Sequence, residues 1–147
     1  ADIAQAAHLT KNLRLVVVDY LGLVRSDERL SIYERVTKNS AALKALARSL
    51  NVPVLCLCQL NRAAEQRADK VPSMADLRDS GAIEQDADVV MFLYRDDYYN
   101  KDTDNPNTAE VIIAKQRNGP IGTVNLVWMP QYTKFANATR PGQGPQS

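Results

Sequence analysis

Apolar residues in this chain fall into runs with two different periods. Leu13–Val18, Val54–Leu60 and Val89–Tyr94 are near-continuous apolar stretches, the pattern of strands buried on both faces. Between the first two the period becomes helical: Val36, Leu43, Leu46, Ala47 and Leu50 form one stripe, with Lys38, Lys44 and Arg48 off it. Ser31 and Glu34 have the spacing of a capping box, in which each side chain satisfies the other's orphan amide. Asn51 suits a left-handed C-cap, and Pro53 cannot continue a helix. Residues 1–12 read as the end of a helix, with Ile3, Ala6, Ala7 and Thr10 along one side. Residues 25–30 read as a polar loop, and 61–80 as a charged loop with short helical pieces, broken at Pro72 and Ser73. The polar stretch 95–108 predicts a flexible insertion. Asn118-Gly119 between Ala109–Ala114 and Ile121–Trp128 predicts a hairpin, followed by a short strand over Tyr132–Phe135.

Three apolar strands with a crossover helix between the first two predict an α/β fold of the doubly wound class, a mostly parallel sheet extended by antiparallel strands. The length of 147 residues suits one domain over 1–136. The polar segment 137–147 then reads as a disordered tail. The net charge of +1 rules out a general basic field, so any nucleic-acid contact has to be local. No apolar run approaches the roughly 20 residues that span a bilayer, and the N-terminal residues have no secretory-type segment; a cytoplasmic protein without membrane partners is expected. Cys56 and Cys58, two apart on a strand, are expected to be small core residues rather than a disulfide or zinc site.

Several residues have chemical potential beyond packing. Asp19 ends the first apolar run, LRLVVVD, which has the form of the Walker B strand of nucleotide-hydrolysing motors. A carboxylate there is placed either to help hold Mg2+ or to cap a turn. Gln59 ends the second run; its neutral amide can contact a terminal phosphate or hold the attacking water, or simply meet solvent. Lys115 and Arg117, in AKQRNGP, project to one side of a strand. Two cations aimed together suit a phosphate, although the same pattern serves a solvated hairpin end. The segment Asp76–Asp88, DLRDSGAIEQDAD, mixes arginine, acids and Gly81. Gly81 permits a positive φ or a close backbone approach to a ligand; the alternative is a helix cap followed by a surface helix.

Together these strings are more specific than each alone. LVVVDYLGLV, NVPVLCLCQLNRAAEQRADKVPSMADLRDSGAIEQDADVVMFLYRDD and IIAKQRNGPIGTVNLVW occur here in the order and spacing of DnaB-type replicative helicases, and over residues 13–136 the chain resembles that family. KQRNGP and DLRDSGAIEQDAD argue against a recombinase or clock-type relative. The resemblance implies a RecA-like core that uses ATP and Mg2+, assembles as a homohexamer around single-stranded DNA, moves 5′ to 3′ and meets a primase and a helicase loader. It implies that Asp19 is the Mg2+-supporting aspartate, Gln59 the sensor of the terminal phosphate, and Lys115 with Arg117 the basic pair reaching a neighbouring subunit's nucleotide, Arg117 as arginine finger. Arg78, Asp79 and Gly81 match the loop that grips the DNA backbone, a contact that is largely independent of base sequence.

The departures are equally specific. The phosphate-binding pattern GxxxxGK followed by Ser or Thr is absent from these residues. In the family it lies N-terminal to the Walker B strand, together with the catalytic glutamate. Gly22 stands where a glutamine is common. A chain without the phosphate-loop strand is expected to be inactive alone and to expose apolar strand surface that invites self-association or a partner.

Overall fold

A computed structural model describes residues 3–24, 29–60 and 63–138, with the side chains of residues 63, 64 and 78–80 left out. The expectations for residues 25–28 and 139–147 lie outside the described residues. In chain order the elements are α1 (Ile3–Leu9), β1 (Val16–Val18), α2 (Ile32–Leu50), β2 (Val54–Cys56), α3 (Ala63–Gln66), α4 (Gly81–Asp86), β3 (Val89–Tyr94), α5 (Asp96–Tyr99), β4 (Thr108–Gln116), β5 (Gly122–Met129) and β6 (Lys134–Asn137). Short 3₁₀ segments occupy Leu21–Leu23, Met74–Ser80 and Pro130–Tyr132. The chain divides into two compact units, one of Ala1–Ala63 with Met74–Ala87 and one of Ala64–Ser73 with Asp88–Ser147.

In the first unit β1 and β2 pair in parallel, Val16 opposite Val54 and Val18 opposite Cys56. Parallel neighbours need a crossover, and α2 provides it. Its N-terminus is closed by the predicted capping box: Glu34 N–H donates to Ser31 Oγ at 3.2 Å, and Ser31 N–H donates to Glu34 Oε2 at 2.8 Å. At the other end Asn51 adopts φ 51°, ψ 43°, and its N–H reaches the carbonyls of Ala47 and Arg48. The buried stripe of α2 runs through Leu46 as expected, but its deepest turn also holds Asn39 and Ser40. Asn39 is accommodated because its Nδ2 donates to Val24 O at 3.1 Å. Helix α2 lies against α4, β2 and the two 3₁₀ segments of its unit.

The second unit is a four-stranded antiparallel sheet in the order β3-β4-β5-β6. Val90, Phe92 and Ala109 are its buried residues, and Trp128 on β5 stacks on Phe135 of β6 with ring centroids 4.7 Å apart. The α/β class is as expected, but the parallel part is confined to β1–β2. Val89–Tyr94, expected as a third parallel strand, pairs antiparallel with β4.

Burial on both faces does not hold either. Leu15 (49% exposed), Val17 (55%) and Leu57 (45%) in the first unit, and Met91 (52%) and Leu93 (57%) in the second, are open to solvent. Only the alternate positions, Val18 in β1 and Val90 and Phe92 in β3, are covered. Each uncovered face forgoes about 25 cal/mol per Å2 of apolar burial. The cysteines follow the same division. Cys56 is half-buried in β2, whereas Cys58 lies past the end of that strand and is exposed, so it is not a core residue. Burial and the neighbouring Cys58 push the Cys56 thiol up to about 11.

The stretch 95–108 is organised rather than a bare polar insertion. Arg95 pairs with Asp97 at 3.0 Å and lies 4.6 Å from the Trp128 ring centre. Asp97 accepts from the backbone of Asn107, whose own carbonyl accepts from Trp128 N–H. Asp96 accepts from Thr103 and Tyr94, and these hydrogen bonds hold its carboxyl below the usual range. Local side-chain acceptors thus replace the missing regular structure.

Ser31→Ala is expected to lower unfolding free energy by about 1 kcal/mol, read as a shift in the urea midpoint. Hydrogen bonds from the Ser31 hydroxyl and amide hold the Glu34 carboxyl below its ordinary value. Glu34's share is therefore present above the ordinary glutamate range and lost as pH falls through the lowered value. The gap between wild type and Ser31→Ala should narrow in acid.

Candidate nucleotide and nucleic-acid sites

Asp19 follows β1 directly, and Gln59 lies three residues beyond β2, so both leave adjacent parallel strands at the same carboxyl end. The chain ends stay together past the ladder: Leu57 N–H donates to Val18 O and Leu21 N–H to Leu57 O, both at 2.9 Å. Asp19 and Gln59 are exposed there, at the edge where open α/β sheets receive ligands. The Asp19–Tyr20 peptide is cis. A Cβ at Gly22 would stand 2.6 Å from Cε2 of Tyr20, so the tyrosine ring fills the space a side chain at position 22 would need.

Among the described residues no group of three or more His, Cys, Asp or Glu side chains converges as a metal site. Asp19 thus offers a single carboxylate. That suits Mg2+, which keeps several waters and takes its other ligands from substrate phosphates, and does not suit a metal caged entirely by protein.

Lys115 lies near the end of β4 and Arg117 just after it. Their direction is set by a feature the apolar pattern does not reveal. Along β3–β4, Val90 opposes Lys115 but Met91 opposes Ile113, so Ala114 is an extra residue in β4. The bulge moves Lys115 and the residue two beyond it from the side of Ile113 to the side of Val90. Arg117 is then held by a residue that sequence reasoning missed. Its N–H donates to Asp88 O at 2.8 Å, and its Nε lies 3.4 Å from Asp88 Oδ1. Asp88 and Arg117 are 29 positions apart in sequence, and only the strand pairing brings them together.

The DNA-loop candidates lie in the first unit. Arg78 and Asp79 fall in the 3₁₀ helix Met74–Ser80, and Gly81 opens α4. The expected loop is therefore two short helical turns, anchored by buried Asp76 and Leu77. Gly81 uses neither property assigned to glycine: its φ is not in the left-handed region, and a Cβ would meet no atom within 4 Å.

A cavity of about 340 Å3 in the second unit lies at the other end of β3 from Arg117, lined by Asp69, Lys70, Tyr94, Asp96 and Tyr99 among others. Lys70 Nζ lies 5.6 Å from the Tyr99 ring centre. Burial and the hydrogen bond to Asp96 push the Tyr94 phenol up to about 12. None of the sequence-derived candidates lines this cavity.

The architecture is that of an ATPase-type α/β core: over 90% of its length the chain is similar to the RadB recombinase (TM-score 0.58, 14% identity, 55% of that chain), a likeness of fold alone. The model of the DnaB-like helicase C terminal domain matches residues 2–137, and the chain belongs to that family. It is 56% identical over 130 residues to the replicative DNA helicase DnaB of Geobacillus stearothermophilus, covering 87% of this chain and 29% of that protein. A solved DnaB-like replicative helicase, described with its interactions with primase, is similar over 92% of this chain and 33% of its own (TM-score 0.85, 45% identity). The chain thus spans about a third or less of the length of these helicases.

Proposed function

We propose that these residues are the Walker B and arginine-finger portion of a replicative helicase motor, which couples ATP hydrolysis to 5′–3′ translocation on single-stranded DNA and to duplex unwinding. The observation that carries this reading is the pair Asp19 and Gln59 leaving neighbouring parallel strands at one carboxyl end, in a chain of the DnaB-like family. Asp19 would hold Mg2+ together with the phosphates of ATP. When bound, the ion bridges and neutralises the phosphate oxygens. The Gln59 amide would read the terminal phosphate without adding charge. Lys115 and Arg117 would serve the nucleotide of the adjacent subunit in a homohexamer, Arg117 stabilising charge on the phosphoryl group as it passes to water. Arg78, Asp79 and Gly81 would hold the DNA backbone, a few contacts per subunit repeated around the ring. Primase, a helicase loader and a cytoplasmic location belong to the same reading. No helix among the described residues is long and apolar enough to cross a membrane.

One consequence concerns the chain by itself. It has Asp19 and Gln59 but no phosphate-loop pattern, and its strands have one open apolar face. It should bind no Mg2+-ATP in solution and should bind partners or copies of itself through that face. Titration with Mg2+-ATP, with oligomeric state measured on the same sample, checks this; binding abolished by Asp19→Ala would overturn it.

In a full-length helicase carrying these residues, Arg117→Ala is expected to cut ATP turnover by about 10³-fold with nucleotide affinity retained. Wild-type turnover would remove Arg117 from the finger role. Arg78→Ala should weaken single-stranded DNA binding evenly across sequences and reduce the slope of log K against log salt by about 0.7 per lost phosphate contact. An unchanged slope would remove Arg78 from the DNA contact.

A further inference from the structure

We propose that Asp88 is a positioning residue for Arg117, holding the guanidinium side-on so that its terminal nitrogens are presented to the incoming phosphate; this rests on the finger reading above. Two contacts define the arrangement. The backbone bond from Arg117 N–H to Asp88 O, 2.8 Å, fixes where the arginine leaves the sheet. The carboxylate then meets the side chain at Nε, 3.4 Å away, at the base of the guanidinium fork rather than bidentately at its tip.

This contact does little for stability. The two side chains are 49% and 56% exposed, and exposed ion pairs contribute little to folding. Orientation is the larger effect. Arginine has several rotatable bonds, and a finger acts only when its donors meet the oxygens where charge develops. A carboxylate at Nε restricts those rotamers while leaving the tip to the ligand. Being solvated, the pair adjusts when a stronger anion arrives. The bulge at Ala114 is part of the device, because it sets which side of β4 the arginine shares with Asp88.

A double-mutant cycle in the full-length helicase tests the assignment. Asp88→Asn keeps size and the backbone carbonyl. It is expected to lower kcat about tenfold at saturating ATP and DNA, the scale of a modest misplacement, with ATP affinity and thermal midpoint unchanged. Asp88→Glu should restore most of the loss. In an Arg117→Ala background, followed by release of labelled phosphate in a single turnover, Asp88→Asn should change the rate by less than about twofold, because its partner is already gone. The cycle also separates this pair from Asp88's other contacts. An equal loss in both backgrounds, or no loss in the wild-type background, overturns the positioning role while leaving the finger intact. Wild-type turnover by Arg117→Ala alone would instead overturn the finger reading, and this one with it.

Discussion

Parallel strands cannot be joined by a tight turn; the chain must travel back along the sheet before the second strand begins. Helix α2 meets that demand between β1 and β2, and most of the first unit follows from it. Its cap at Ser31 and Glu34 sets where the return begins, and Asn51 with Pro53 sets where it ends. Because Val16 pairs with Val54 and Val18 with Cys56, the two strands finish level. Asp19 and Gln59 therefore emerge on one edge. A slip of one residue would reverse the face of every side chain in one strand and separate the carboxylate from the amide.

The second unit solves a different problem, the aiming of two cations. Alternation along a strand puts Lys115 and Arg117 on one side, but it does not determine which side. The extra residue Ala114 does. Next to it, the hydrogen bond between Arg117 N–H and Asp88 O closes the strand end. Further along β3 the Arg95, Trp128 and Asp97 cluster ties the 95–108 segment to the sheet. Order at one end of β3 thus comes from side-chain acceptors, and at the other from strand pairing.

Both units keep one apolar face in solvent, at Val17 and Leu57 in one and Met91 and Leu93 in the other. Such faces favour partners. Helicases similar to this chain are about three times its length or more, and in the proposed motor the phosphate loop has to come from outside these residues. Asp19 and Arg117 are then parts of composite sites rather than a complete active centre.

Much of this was legible in the sequence because the signals were local. The Ser31–Glu34 spacing, the Asn51 C-cap, the α2 stripe and the Asn118-Gly119 hairpin depend on neighbours within one helical turn or one hairpin, and so do the motif strings that mark the family. Strand partners depend on residues far apart in the chain. Continuous apolar runs such as VVMFLY look alike whether a strand pairs parallel or antiparallel, and whether both faces are covered or one. Hence the antiparallel pairing of β3, the open faces, the exposure of Cys58, the turn to which the Ala114 bulge directs Lys115 and Arg117, and the approach of Asp88 to Arg117 were decided only by tertiary structure. Amino-acid order determined which groups are available and how each segment begins and ends; non-local hydrogen-bond register determined what those groups face.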